Sequence, residues 1–382
     1  MALPGPEAQQ LAIYCGWLMH GIPGGILAGG LFVLPSLLML STLGWVYLTF
    51  GNLALVQACF DGVRPIVVAL VAFAAFRLAK KVLKSPLLAT IACAAFVALR
   101  VVDLDYPWVL AGATLVGIIA GRYYRQGLFP AAKGGKKAAQ FLPARSHDRT
   151  TLLLILLAGG LLWALPLVVS ILWLGPSNLL TELGLFFTQA ALMGFGGAYA
   201  LVPYVSEAMV EHHAWLTRQE LIDSLALGET TPGPLLMMFS FMGYLAASKA
   251  TELSSLSAPL PGLIGATLVT WYTFLPSFVM VLAGAPLSEH LRRHPSFDAV
   301  LTAISAAVVG VILSLGVYLT LAVFGQGTAY SLDQRVMAVL AIGATGLLAT
   351  GRISPFRAIL AGGFFGIAVK LMDLIPAPLS LF

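Results

Sequence analysis

Charge is what this chain has least of. Only 10% of its 382 residues are Asp, Glu, Lys or Arg, where a soluble domain carries about 25%. That shortage excludes a water-soluble surface wrapped round an apolar core. It also excludes nucleic-acid binding, because no basic patch alternates with exposed aromatics. Cysteine is scarce too: Cys15, Cys59 and Cys93 each stand alone in apolar surroundings. No C-x-x-C or related pairing occurs, so a metal or redox centre of that kind is excluded. The three read as buried structural cysteines.

Apolar sequence fills the space that charge leaves. Hydrophobic residues make up 59% of the chain, and its mean hydropathy is +0.93. Apolar segments run at 7–20, 22–48, 55–79, 86–102, 106–121, 151–174, 179–205, 234–250, 260–284, 296–324, 335–350 and 354–375. Little polar sequence separates them, which is the pattern of an all-α polytopic membrane protein. Lipid offers backbone polar groups no partner, so each segment is expected to be helical. The first residues read as part of this structure rather than as a cleavable leader.

Orientation follows from Lys and Arg. Residues 121–150 hold seven basic residues and one acid, the signature of a cytoplasmic linker. Arg77, Lys80, Lys81 and Lys84 form a second basic cluster, and Arg292 with Arg293 a third. Placing all three inside makes the helices at 55–79 and 296–324 run in opposite directions. Those two helices resemble one another through a shared Phe-Asp, in ACFDGVRPIVVAL and PSFDAVLTAISAA. FVLPS at 32–36 likewise matches TFLPS at 273–277, and VLAGATLVGIIAG matches ILAGGFFGIAVK. Matching order with opposite direction predicts two inverted-topology repeats. The domain reading is 1–121 for the first repeat, 122–150 for the linker, 151–174 for a helix that changes parity, and 175–382 for the second repeat.

Pro-Gly-Pro occurs twice, at 4–6 and 232–234, each time before an apolar run ending in Gly-aromatic. In the second copy Thr217 and Glu220 form a capping box, so a helix is expected over 218–230. A break follows, and Pro234 is expected at the first position of a new half-helix. The free amides of such a half-helix carry about half a positive charge and can receive an anion. Gly194, Gly196 and Gly197 interrupt another apolar helix and would let backbone approach a ligand or a neighbouring helix.

Ionisable groups at membrane depth are functional suspects. Asp61 and Arg64 lie one turn apart, either as an oxyanion contact with its modulator or as an internal ion pair. Asp298 takes the Asp61 place in the second half, where Leu301 replaces the arginine. Glu7 and Glu229 flank the two breaks and are candidates for proton coupling with Asp61, or ordinary helix-end caps. Gln9 and Gln10 could donate to an oxyanion or bridge helices. Adjacent His212 and His213 point about 100° apart on a helix, with no third ligand following, so the segment 207–215 reads as interfacial with a Trp anchor rather than as a metal site.

The stretch GFGGAYALVPYVSEAMVEHHAWLTRQELIDSLALGETTPGP resembles the signature of the chromate ion transporter (CHR) family. LPGPEAQQLAIYCGWLMHG, followed by FVLPS, resembles its N-terminal counterpart. The resemblance covers nearly the whole chain. It implies a bacterial inner-membrane protein of two inverted halves that exports chromate, gives chromate resistance and draws on the proton gradient. From the residues themselves, Gly5, Pro6, Gln9, Arg64, Gly194, Gly196, Gly197, Thr231, Gly233 and Pro234 are the candidate oxyanion path. The family's Phe-Gly-Gly motif and Glu…Trp segment do not precede Pro4, so the first repeat is expected to be truncated at its start. Sulfate shares chromate's charge and shape and stays open as a substrate, as does a remnant that does not transport; a homodimer is compatible with either. No cofactor is implied: reduction would need a dinucleotide fingerprint or ligand spacing, and hydrolysis a nucleophile beside a base. Neither pattern is present, so an enzyme is not expected.

Overall fold

A computed structural model describes residues 5–123, 149–194, 198–231, 233–291, 295–325 and 333–374. Among these residues the chain forms thirteen α-helices and no strand. The core of the linker at 124–148, together with Gly196, Gly197, Arg292 and Arg293, lies outside them.

The first helix, α1 (Glu7–Phe50), has 44 residues. As a straight rod it would reach about 66 Å, twice the hydrocarbon thickness of about 30 Å. It does not run straight. Gly21 takes φ 71 and ψ −156, left-handed backbone that a side chain resists, and the chain folds back there. Gly16 and Gly24 then face one another with no room for a methyl between them, so α1 is a helical hairpin of the two apolar segments read as 7–20 and 22–48.

Next come α2 (Ala54–Val82), α3 (Pro86–Arg100), α4 (Tyr106–Tyr123) and α5 (Arg149–Leu174). Ser85 caps α3 by accepting the Leu88 amide at 3.4 Å, with Pro86 in the first turn where its missing N–H costs nothing. The apolar segment 179–205 is split into α6 (Leu179–Leu192) and α7 (Ala198–Glu207). The rest comprises α8 (Arg218–Thr230), α9 (Met238–Ser248), α10 (Leu260–Leu291), α11 (Pro295–Phe324), α12 (Gln334–Ala349) and α13 (Pro355–Leu374). Six of the described helices, α1, α2, α5, α10, α11 and α13, are long and apolar enough to cross a bilayer. The protein is a multi-pass membrane protein.

Packing is reciprocal between the two parts of the chain. The Phe-Asp helix α2 packs on α12 and α13, while the other Phe-Asp helix, α11, packs on α3 and α4; α1 lies against α9 and α10. Glycines bring these backbones close: Gly62 abuts Gly362 and Gly366, and Gly310 abuts Ala92. Small residues take this role in membranes because dispersion at short range replaces the hydrophobic effect between helices.

α5 sits outermost, with Leu153, Leu157, Leu161 and Leu172 exposed. It is tied on by a local defect. Pro166 has no N–H for the Leu162 carbonyl, and the Trp271 indole of α10 donates to that carbonyl at 2.9 Å. Tyr272 donates to the Trp163 carbonyl at 3.0 Å. The cysteines correct the sequence reading: Cys15 and Cys93 are exposed and Cys59 half-buried. In a bilayer an apolar thiol gains nothing by facing inward, since lipid solvates it equally well.

Candidate functional site

The second Pro-Gly-Pro interrupts the chain between α8 and α9. α8 starts from a complete capping box: Thr217 Oγ1 accepts the Glu220 amide at 3.2 Å, and Glu220 Oε2 accepts the Thr217 amide at 2.9 Å. It stops at Thr230, and Thr231 is extended at φ −90 and ψ 141. Gly233 takes φ +131, which only glycine adopts without strain. Pro234, with φ −69 and ψ 137, caps a 3-10 turn over Leu235–Met237 that leads into α9. Pro234 therefore stands at the cap, before the first helical position where the sequence reading put it. The ring fixes φ but leaves ψ free to stay extended.

The first Pro-Gly-Pro has the same build. Gly5 takes φ +115, and Pro6 caps α1 at φ −71 and ψ 107. The first helical hydrogen bond runs from the Gln10 amide to the Pro6 carbonyl at 3.0 Å. The amide of Gly5 donates to the Gly194 carbonyl at 2.8 Å, just past the end of α6. Two glycine motifs nearly 190 residues apart thus meet. Gly196 and Gly197, assigned to the same path, lie outside the described residues.

Each turn also meets the other half. A methyl built on Gly5 would overlap the hydroxyl of Ser277, the serine of TFLPS, and one on Gly233 would overlap that of Ser36, the serine of FVLPS. Gln10 Nε2 donates to Ser277 Oγ at 3.4 Å. Gln9 is fully buried, yet among the described residues neither its Nε2 nor its Oε1 has a hydrogen-bond partner; the same holds for Thr273 Oγ1, one turn before Ser277. A buried amide left unbonded costs about 1–3 kcal/mol. Counting from Pro234 and Ser36, the matching places at the second turn hold Met237 and Phe32. One turn is polar and the other apolar. Glu7 points to the exposed side of α1.

A buried charge cluster joins α2 to α8. Arg64, 2% exposed, donates through Nε to Asp223 Oδ1 at 3.1 Å and through Nη2 to Oδ2 at 3.2 Å. Its Nη1 is bonded to Asp61 Oδ1, and the Tyr47 hydroxyl donates to Asp223 Oδ2 at 2.9 Å. The guanidinium is covered by two carboxylates, which an incoming dianion would have to displace. Asp298, the Asp61 counterpart, is exposed. Glu229 accepts from the Tyr199 hydroxyl at 2.5 Å. Both line a cavity of about 10 Å³ with Val67, Leu225 and Met238, room for about one water.

Sequence reasoning missed Asp223. Its partner is 159 positions away, so no local spacing announces the pair. The available signal was an acid set among the apolar residues of LIDSLALG, of which Leu221, Ile222, Leu225 and Ala226 are buried. In the segment read as interfacial the His213 ring stacks on Trp215 at 4.0 Å, and partial burial lowers the His213 pKa from its ordinary value.

The family model for the chromate transporter matches residues 1–118 and 181–367. A chromate transport protein of Cupriavidus metallidurans is 32% identical over 313 residues, 81% of this chain and 68% of that protein. One from Pseudomonas aeruginosa is 32% identical over 323 residues, 81% of this chain and 67% of that one. A probable chromate transport protein of Synechococcus elongatus is 27% identical over 314 residues, 81% and 69% of the two chains. No solved structure matches. With the family model matching most of the chain and relatives 32% identical over two thirds of their own length, the chain belongs to the chromate transporter family.

Proposed function

We propose that this protein is a secondary transporter that carries chromate outward across the bacterial inner membrane, driven by the proton gradient, and so confers chromate resistance. The observation that carries the reading is the pair of glycine turns. Each opens a helix start inside the protein, and each is braced by the serine of the other half. Helix starts of this kind stabilise anions through amides that have no helical partner. Their reciprocal bracing is what two inverted-topology repeats, 1–121 and 175–382, would produce about a shared midplane site.

Polarity separates the two turns. At the first, the unbonded amide of Gln9 and the Thr273 hydroxyl supply donors without side-chain charge, which suits a tetrahedral dianion that must also leave. Gly5, Pro6, Gln9 and Gly194 line this side, with Thr231, Gly233 and Pro234 at the other turn and Arg64 behind them. Glu7, Asp61 and Glu229 are the proton-coupling candidates named by position.

The test is tracer uptake into inverted membrane vesicles, where export appears as accumulation. Chromate should accumulate when the proton gradient is on and fall to background when an uncoupler dissipates it. Accumulation unaffected by the uncoupler would end the proton-driven reading. Equal accumulation of sulfate, with mutual competition, would replace chromate by a general oxyanion substrate.

A further inference from the structure

The break that follows α8 is the tip of a loop that doubles back. α8 and α9 pack side by side, and Lys249, just past the end of α9, reaches Glu220 in the first turn of α8 at 2.5 Å. The open end is thus fastened, and the 13 residues of α8 carry the tip about 20 Å away from it. Glu229 stands in the last turn of α8, four residues before Gly233, and Tyr199 in the first turn of α7, five residues after Gly194. Their hydrogen bond, 2.5 Å from the phenol to the carboxyl, therefore ties one glycine break to the other. Both side chains are half-exposed, and both border the cavity of about 10 Å³, where about one water fits. Val67, Val71, Leu225 and Met238 give the rest of that wall an apolar character.

Other charges leave this carboxyl free to exchange a proton. Arg77 of α2 acts on it, yet among the described residues no Lys or Arg forms an ion pair with it. On α8 itself Glu220 is held by Lys249 and Asp223 by Arg64. α9 faces it with Met238, and α13, which also packs on α8, carries Arg357 and Lys370 toward its two ends. The other acids considered for coupling differ, since Asp61 is bonded to Arg64 and Glu7 is exposed.

We propose that Glu229 carries the coupling proton and that Tyr199, as a positioning residue, transmits its presence to both glycine breaks. The inference rests on the proton-driven chromate reading, narrows its three candidate acids to one and adds Tyr199. One proton from water forms an O–H bond on the Glu229 carboxylate; release returns it to water on the opposite side, and the phenol keeps its own proton throughout. A hydrogen bond to an ionised carboxylate is about twice as strong as one to a neutral acid. Loading the proton therefore slackens the tie between α7 and α8, and unloading tightens it. Gly233 follows Glu229 on one side of the tie. On the other, the Gly194 carbonyl receives the Gly5 amide at 2.8 Å, so proton occupancy bears on both turns.

The experiment uses the full chain in proteoliposomes and reads two activities. One is accumulation of tracer chromate driven by a proton gradient. The other is counterflow, the exchange of tracer for unlabelled chromate with no gradient, which requires no net proton movement. Glu229→Gln still accepts from Tyr199 but can neither take up nor release a proton. Its gradient-driven accumulation should fall at least about ten-fold further than its counterflow. Glu229→Met stands in if Glu229→Gln does not fold. Gradient-driven accumulation retained in the folded variant would overturn the proposal. So would parallel loss of both activities, or failure of both variants to fold, since each would make Glu229 a structural tie. Infrared difference spectra between acid and neutral pH should contain a protonated-carboxyl band in the parent. Glu229→Gln should remove that band, and Tyr199→Phe should move it to higher frequency because the carbonyl loses a donor. A band that persists in Glu229→Gln would overturn the site, and one unmoved in Tyr199→Phe would overturn the role of the phenol. If the parent accumulates no chromate with the gradient, the proton-driven reading fails on its own, and the infrared band still reports where the proton sits.

Discussion

Gly233 of the second glycine turn sits so close to Ser36 that a single methyl on the glycine would overlap the serine hydroxyl. The turn also needs φ +131. Gly233→Ala should therefore suffer twice, from a disfavoured backbone worth about 1–3 kcal/mol and from crowding worth about as much. Adding Ser36→Ala removes the crowding but not the backbone strain, so the double variant should recover part of the lost melting temperature. Gly233→Leu should abolish transport outright. Thermal melts of the four proteins check the cycle, and no recovery in the double variant would mean that the serine does not brace the turn.

Arg64 is expected to be intolerant for a different reason. Arg64→Ala takes the guanidinium from Asp61 and Asp223, and breaking a buried pair this way costs about 3–5 kcal/mol. Chromate resistance should vanish and the melting temperature drop steeply. Arg64→Lys should restore little of either, because an ammonium cannot reproduce the two-pronged grip on Asp223. Resistance unchanged in Arg64→Ala would reduce the arginine to a dispensable ion pair.

Gln9 should show the opposite sign. Its buried amide has no hydrogen-bond partner among the described residues, and replacing it by the methionine found at the corresponding place of the second turn removes that penalty. Gln9→Met should stabilise the protein by about 1–3 kcal/mol while lowering chromate transport. Simultaneous gains in stability and transport would show that the amide serves no ligand.

Between α7 and α8, His213 gives a pH readout. Burial lowers its pKa, so the folded protein favours the neutral ring. The stabilisation is present above the ordinary histidine pKa of about 6.5 and is lost as pH falls from there through the lower folded value. The ring stacks on Trp215, and a charged imidazole quenches indole emission. A parent-minus-His213→Gln fluorescence titration should give a midpoint below the ordinary value. A midpoint above it would place the pair in a different environment.

What the sequence allowed and what it withheld divide along the range of the forces involved. The capping box at Thr217 and Glu220, the stop at Thr230 and the division of the first apolar stretch at residue 21 depend on neighbours within a few residues, and all were readable. The glycine turns were readable as breaks, but not their bracing by Ser277 and Ser36, because those contacts join residues more than 190 positions apart. Asp223 was hidden for a related reason. Glu229 of RQELIDSLALGET stood out because it flanks the break, whereas Asp223, in mid-helix among other polar residues, carried no such local mark. The cysteines went astray because burial inside protein and exposure to lipid look alike in composition.

The crossed contacts also constrain how the molecule can move. α1 carries the serine that steadies one turn and begins at the other; α10 carries the serine that steadies the turn at which α1 begins. These two helices lie against each other, so a tilt that withdraws Ser277 from Gly5 shifts Ser36 relative to Gly233 as well. The turns behave as two ends of one rocker arm: neither can loosen while the other stays still.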